Sequence, residues 1–369
     1  MVPFRISPRI YIYDQFAEFA NAFNIGKGDL LITNEFIYST GMQEMNFECE
    51  VLFQERYGSG EPSNVMMDQI FAEARQREFS RVIAVGGGTV IDVAKLLALA
   101  GTGKTVDYFE RRIPLQKSKE LIIIPTTCGT GSEMTNISIM EIQEQHTKKG
   151  LAADELYADY AVLIPGLLAG LPYPVFATSS IDALIHATES FVAPNSSELT
   201  EVFSTKAIDL IVRGYIKIIE GKDHVSLMRD FLLASSYAGI AFANAGVGAV
   251  HAMSYPLGGM YHVPHGEANL QMFTTVFKAY KRIKPQGKIQ ELEKQLSGLL
   301  NVSEDAVWSA FDELLQSILQ RKPLRDCGMK ESDIAAFSDS VLANQQRLLK
   351  NNYAPLDREE MIEIYKSLY

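Results

Sequence analysis

Short apolar runs and longer amphipathic stretches alternate over the first part of the chain. RIYIY (9–13), DLLIT (29–33), EVLF (50–53), RVIAV (81–85) and LIIIP (121–125) are separated by helix-like segments such as SNVMMDQIFAEARQREF (63–79). Apolar runs of that length, rich in β-branched residues, predict strands covered on both faces, with the amphipathic segments as crossover helices. The expected fold of this half is a mostly parallel, Rossmann-like α/β domain. After about residue 170 the strand signals nearly vanish and helical periodicity takes over, as in TEVFSTKAIDLIVRGYIKIIE (200–220) and SEDAVWSAFDELLQSILQ (303–320). This half is expected to be all-α. The Pro- and Gly-rich PGLLAGLPYPVF (165–176) marks the boundary, giving domains 1–170 and 171–369.

Length and composition agree with that division. A chain of 369 residues exceeds what one core usually supports, so two cores with a cleft between them are expected. A net charge of −11 argues against a general attraction to nucleic acid or anionic lipid. No apolar stretch is long enough to span a membrane and the N-terminus lacks a signal-peptide pattern, so neither export nor a membrane span is expected. Cys49, Cys128 and Cys327 are odd in number and far apart, which fits neither a disulfide framework nor a CxxC metal site and makes a reducing cytoplasm the expected compartment.

Two loops in the first half suit a nucleotide. In RVIAVGGGTVIDVAKLLAL (81–99) a strand runs into Gly86, Gly87 and Gly88, then Thr89 at the expected N-cap of a helix. Glycines let backbone approach a phosphate, while helix-start N–H groups and the helix dipole supply positive potential. The run is neither GxGxxG nor a P-loop, and a plain tight turn is the competing reading. PTTCGTGSEMT (125–135) follows the next strand and offers the hydroxyls of Thr126, Thr127, Thr130 and Ser132 around flexible glycines, where open α/β sheets bind ligands. Cys128 has no histidine near it in sequence and is read as a packing residue.

The second half holds a candidate metal site. Asp182 and His186 in SSIDALIHATESF (179–191) lie four apart on one helix face, with Ser179 or Ser180 as the expected N-cap. A DxxxH pair alone also fits a solvated carboxylate beside a packed histidine. In HAMSYPLGGMYHVPHGEAN (251–269), however, His251 precedes an expected helix break at Pro256 and Gly258–Gly259, and His265 follows Pro264 where a new helix should begin. Folding back at that turn would bring both imidazoles to one point. One carboxylate and three neutral imidazoles suit Fe(II), with Zn(II) as the other fitting ion, and leave a position open for substrate. Residues 150–205 and 241–277 contain no Lys or Arg, so no cation competes near these ligands in sequence. His146 and His224 sit in polar stretches and are expected to be solvated.

Together GGGTVID, PTTCGTGSE, DALIHATE and HAMSYPLGGMYHVPHGEAN resemble, in order and separation, the iron-containing (group III) alcohol dehydrogenase family, from about residue 8 to the C-terminus. NIGKGDLLITNEFIY, FQERYGSGEPS and YPLGGMYHVPHGEAN are most similar to those members of the family that oxidise 4-hydroxybutyrate. The resemblance implies an NAD(P)-binding first domain, a helical metal-binding second domain, and a cleft active site that interconverts 4-hydroxybutyrate and succinate semialdehyde. It implies that Asp182, His186, His251 and His265 are metal ligands and that Gly86 to Thr89 hold the pyrophosphate. Asp92, Thr126, Thr127, Thr130 and Ser132 become further dinucleotide contacts, and Lys148 a ribose contact. A homodimer is the expected assembly.

Three positions depart from the family pattern. Tyr255 stands where many members carry a histidine near the substrate; its hydroxyl either relays a proton or shapes the pocket, and a phenol with an ordinary pKa of about 10 is a weak base at neutral pH. Because Pro256 follows, Tyr255 is not assumed to share the helix face of His251. Asn34 stands at the end of LLITNEF where NAD-preferring members often have aspartate, which relaxes the expected discrimination against NADP. Glu61 stands where many members have asparagine, and a carboxylate moved to that neighbouring loop would keep NAD preferred. The substrate carboxylate lacks a nearby basic residue in sequence, leaving backbone donors, a distant residue or His262; capping a turn is the other reading of His262. A different small alcohol or aldehyde, a lyase resembling dehydroquinate synthase and a noncatalytic dinucleotide-binding protein are the competing functions. The complete ligand set disfavours the last, and the scarcity of basic residues near it disfavours the lyase.

Overall fold

A computed structural model of the chain describes residues 3–58, 60–145 and 147–369, so His146 lies outside the described residues. The chain forms two compact units, one of Ile6–Leu171 and the other of Pro172–Tyr369 joined by the N-terminal residues up to Arg5.

The first unit contains β1 (Arg9–Ile12), α1 (Phe16–Ala22), β2 (Asp29–Thr33), α2 (Glu35–Gly41), β3 (Glu50–Phe53), α3 (Asn64–Ala74), β4 (Arg81–Gly86), α4 (Gly88–Leu97), α5 (Thr105–Phe109), β5 (Glu120–Pro125), β6 (Ile137–Ile142), β7 (Thr147–Ala152) and β8 (Tyr160–Leu163). Six strands make one parallel sheet in the order β1-β8-β5-β4-β2-β3. Its continuous apolar runs follow from burial on both faces. Leu30, Ile32, Val82, Ala84, Leu121 and Ile123 face one core, and Leu31, Ile83, Val85, Ile122 and Ile124 face the other. β6 and β7 form a separate antiparallel pair. From β2 the chain steps outward to edge strand β3, and from β4 it steps the other way to β5, so the order reverses between β2 and β4. Ligands of open α/β sheets bind at the carboxyl ends of the strands flanking such a reversal.

The second unit is helical: α6 (Tyr173–Val192), α7 (Glu198–Ile219), α8 (Met228–Ala245), α9 (Ala249–Tyr261), α10 (His265–Ile283), and shorter helices through Arg358–Leu368. Arg5 belongs here, since its N–H donates to Asn244 Oδ1 at 2.7 Å and its carbonyl accepts from Asn244 Nδ2 at 2.9 Å. Three local expectations are corrected. α6 begins at Tyr173, with Pro174 in its first turn where no N–H partner is needed, and Ser179 and Ser180 lie inside it bonding to carbonyls of the preceding turn. α9 does not break at Pro256. Its buried stripe of Ala249, Val250, Ala252, Met253 and Leu257 keeps it helical through to Tyr261, and side chains take up neighbouring carbonyls, Ser254 Oγ on His251 and Tyr365 OH on Met253. His224 is packed against Tyr173 and Phe176, with ring centroids 5.3 and 5.0 Å away, because an aromatic pocket outweighs its polar sequence neighbours. Among the described residues, no single helix is long and apolar enough to cross a membrane.

Candidate metal centre and dinucleotide loops

Asp182 and His186 lie one turn apart on α6, and both are buried. α9 brings His251 against them, so that ligand atoms of Asp182, His186 and His251 all lie within 4.8 Å of one another. Asp182 Oδ1 is 3.6 Å from His251 Nε2 and 3.7 Å from His265 Nε2, and Asp182 Oδ2 is 3.9 Å from His186 Nδ1. These separations are too long for hydrogen bonds. Two ligands about 2.0–2.2 Å from one ion can be no more than about 4.4 Å apart, which all three distances satisfy. His251 Nε2 is buried with no hydrogen-bond partner, as a metal-directed imidazole nitrogen should be. The donor set therefore fits a divalent transition-metal ion. His265, the first residue of α10, is the most exposed of the four at 32% and completes the ring around Asp182.

Supporting side chains hold this arrangement. Glu189, on the same α6 face, accepts from Val250 N at 2.8 Å and bonds His251 Nδ1 at 2.6 Å, which fixes the ring and points Nε2 at Asp182. Asn269 Nδ2 donates to Asp182 Oδ1 at 2.7 Å and lies 3.2 Å from His265 Nε2. Phe242 stacks on His186 with centroids 4.3 Å apart. Burial works to raise the Asp182 carboxyl, but the imidazoles of His186, His265 and His251 outweigh it and hold that carboxyl well below the usual range. Burial works to lower His251, but the Asp182 and Glu189 carboxylates push it up to about 9. Positive charge at this point is thus favoured by the protein. Neither Glu189 nor Asn269 was singled out from sequence, although Glu189 lies three residues after His186 and Asn269 four after His265, spacings that share a helix face.

The residues around this group are arranged as follows. Tyr255 lies on the continuous α9, four residues after His251, with its ring 6.1 Å from that of His265. His262 is exposed and ends α9 in a left-handed conformation at φ 54°, so it does cap the turn. Gly266 lets α10 approach α6, because a Cβ there would lie 2.2 Å from the Thr178 carbonyl oxygen.

In the first unit, Gly87 rather than Thr89 is the N-cap of α4. Thr89 is the second helical residue, and its hydroxyl donates to Gly60 O at 2.9 Å. β4 and β5 pair through Gly86↔Pro125, which sets the two loops side by side. A Cβ on Gly88 would sit 3.1 Å from Thr130 Cγ2, and one on Gly87 3.4 Å from Thr127 Cγ2. The two loops therefore meet closely at these glycines, where a side chain would crowd the Thr127 and Thr130 methyls. Ser132 Oγ and Thr126 belong to the same loop, with Thr126 N donating to Gly86 O at 3.1 Å. Asp92 is buried, with Oδ1 left without a hydrogen-bond partner. Its Oδ2 accepts from Ile139 N at 2.9 Å, and burial pushes its carboxyl up to about 6. Lys95 beside it is fully buried, donates to Thr135 Oγ1 and Ile137 O, and is pushed down by burial to about 8. This pair pins β6 to α4. Lys148 pairs with Glu61 at 2.5 Å. Asn34 Nδ2 donates to Glu55 Oε2 at 3.0 Å, a partner that sequence spacing did not reveal.

A parallel sheet with glycine and hydroxyl loops at its strand ends, together with a helical Asp/His cluster, defines a metal-dependent, dinucleotide-linked oxidoreductase. The chain belongs to the iron-containing alcohol dehydrogenase family: residues 8–165 match the family described as iron-containing alcohol dehydrogenase, and residues 176–369 its C-terminal region. It is 52% identical over 367 residues, 99% of both chains, to the 4-hydroxybutyrate dehydrogenase of Clostridium kluyveri. It is 30% identical to the sulfoacetaldehyde reductase of Bilophila wadsworthia, covering 83% of this chain and 81% of that one. The fold matches a crystal structure of sulfoacetaldehyde reductase from Bifidobacterium kashiwanohense in complex with NAD+ (TM-score 0.87, 23% identity, 100% and 98% of the two chains). It equally matches a 1,3-propanediol oxidoreductase (TM-score 0.87, 22% identity, all of both chains).

Proposed function

We propose that this enzyme interconverts 4-hydroxybutyrate and succinate semialdehyde by reversible hydride transfer with NAD, as a cytoplasmic homodimer. The observation that carries this reading is the 52% identity to the Clostridium kluyveri enzyme over essentially the whole of both chains. Asp182, His186, His251 and His265 hold Fe(II), with Zn(II) the competing ion. When bound, the ion supplies Lewis acidity toward the substrate oxygen, and the dinucleotide takes up or supplies the hydride. Asp182 contributes the negative charge of the cluster, and Glu189 keeps His251 presenting Nε2. Gly86, Gly87, Gly88 and the start of α4 at Thr89 receive the pyrophosphate, with Thr126, Thr127, Thr130 and Ser132 donating hydroxyls around it. Asp92, braced through Oδ2 by Ile139 N, is a further dinucleotide contact, and Lys148, paired with Glu61, is a ribose contact. Tyr255 walls the substrate pocket beside His265.

His262 is assigned to the substrate carboxylate, on the strength of its exposure next to the α10 ligand. The test is NADH oxidation by the Fe(II)-loaded protein with succinate semialdehyde and butanal in parallel. A much higher kcat/KM for the semialdehyde is expected, and His262→Ala should raise its KM about tenfold or more while leaving that of butanal little changed. Equal use of both aldehydes would retain the dehydrogenase and remove the 4-hydroxybutyrate assignment. Equal effects of the variant would remove His262 from the carboxylate.

A homodimer is supported by β1. This edge strand exposes Ile10, Tyr11 and Ile12 at 43%, 39% and 45%, an apolar, unpaired edge of the kind that proteins usually cover.

A further inference from the structure

The reversal of strand order between β2 and β4 locates a second polar position beside the glycine loop. Ile32 of β2 pairs with Ala84 of β4, so Asn34 stands level with Gly86 at the same end of the sheet. A dinucleotide whose pyrophosphate lies on Gly86–Gly88 extends its adenosine ribose toward that neighbouring strand end, where a carboxylate accepting from the 2′-hydroxyl selects against a 2′-phosphate. The residue at the strand end is an uncharged amide. It is not alone, however. Glu55, from the turn after β3, lies against it: Oε2 accepts from Asn34 Nδ2 at 3.0 Å, and Oε1 accepts from Glu35 N at 2.5 Å, at the start of α2. Asn34 makes no side-chain cap on α2 itself, so the capping of this helix is given over to Glu55.

We infer that Glu55, oriented by Asn34, is the carboxylate that makes the enzyme prefer NAD over NADP. Each Glu55 oxygen has one lone pair engaged and another left to accept a ribose hydroxyl. A 2′-phosphate brought to the same place meets the charge of Glu55, while Glu35 is paired with Arg56 at 3.5 Å and adds none. Glu61 is differently committed. Its carboxylate is paired with Lys148 at 2.5 Å, and the pair carries no net charge to repel a phosphate. The negative charge that Asn34 lacks is therefore restored by the residue that hydrogen-bonds to it.

This inference rests on the dinucleotide reading above, and the experiment separates the two. Equilibrium binding of NAD+ and of NADP+ is measured by titration calorimetry on the full metal-loaded chain, with no alcohol present, for wild type, Glu55→Gln, Glu61→Gln and the double variant Asn34→Asp/Glu55→Gln. Glutamine keeps an acceptor for Glu35 N, and thermal melting reports whether the fold is retained. The ratio of the NADP+ to the NAD+ dissociation constant should exceed one in wild type, fall by about tenfold or more in Glu55→Gln, stay unchanged in Glu61→Gln, and recover in the double variant. A ratio in Glu55→Gln within twofold of wild type, or a fall confined to Glu61→Gln, overturns the inference. Failure of wild type to bind either dinucleotide would overturn the proposed function itself, and the role of Glu55 with it.

Discussion

Glu189 carries more of the candidate metal centre than its place behind His251 suggests. It meets His251 through Nδ1 and fixes the backbone of the same turn through Val250 N, so one buried carboxylate sets both the tautomer and the position of the ring. Glu189→Gln keeps the size but removes the charge and adds a donor that faces an N–H. The expected outcome is a metal affinity lower by about 10–100-fold, read by competition with a chromophoric chelator, with the melting temperature of the metal-free protein little changed. Unaltered affinity would reduce Glu189 to a packing residue. At this scale the sequence was informative where chemistry follows helix spacing: Asp182 and His186 are four apart, and the structure brings His251 and His265 to the same point. It was silent on Glu55, because the contact with Asn34 spans two strand ends and leaves no periodic trace. For Asp92 the spacing did not reveal the second contact, in which Oδ2 accepts from Ile139 N on β6.

At the level of elements, the approach of α10 to α6 decides whether His265 reaches Asp182. Gly266 permits that approach, and an added methyl would meet backbone, which has no rotamer with which to yield. Gly266→Ala should therefore cost about 1–3 kcal/mol of stability and displace His265, seen as a lower melting temperature together with weakened metal binding. A variant that melts and binds metal like wild type would show that the helix pair slides without penalty. Strands β2, β4 and β5 were legible as apolar runs because the sheet is covered on both faces there, whereas the exposed β1 was legible only from its β-forming residues. β6 and β7 were not, since β6 alternates buried and half-buried positions and includes Ser138 and Glu141, and a pair of strands away from the main sheet needs no apolar run. The continuation of α9 through Pro256 was equally hidden. Proline normally ends a helix, and here burial and two side-chain hydrogen bonds override that local preference.

For the whole molecule, the exposed β1 edge makes the assembly testable without reference to catalysis. Ile10→Lys/Ile12→Lys places two charges on it, and sedimentation velocity should then report a monomer where wild type sediments as a dimer; an unchanged dimer would place the interface elsewhere. The division into an α/β half and a helical half was readable from the switch in periodicity near residue 170. What periodicity could not indicate is that the first residues of the chain belong to the second unit, because the three-residue stretch before Ile6 that the structure describes carries no pattern, and its clamp on Asn244 is more than two hundred residues away in sequence. That clamp has a consequence for synthesis. As the polypeptide leaves the ribosome, the sheet can close once β8 has emerged to pair with β1, but the Arg5 backbone must stay unattached until α8 follows it. A stretch synthesised ahead of the first sheet strand thus finds its place only after that sheet can be complete.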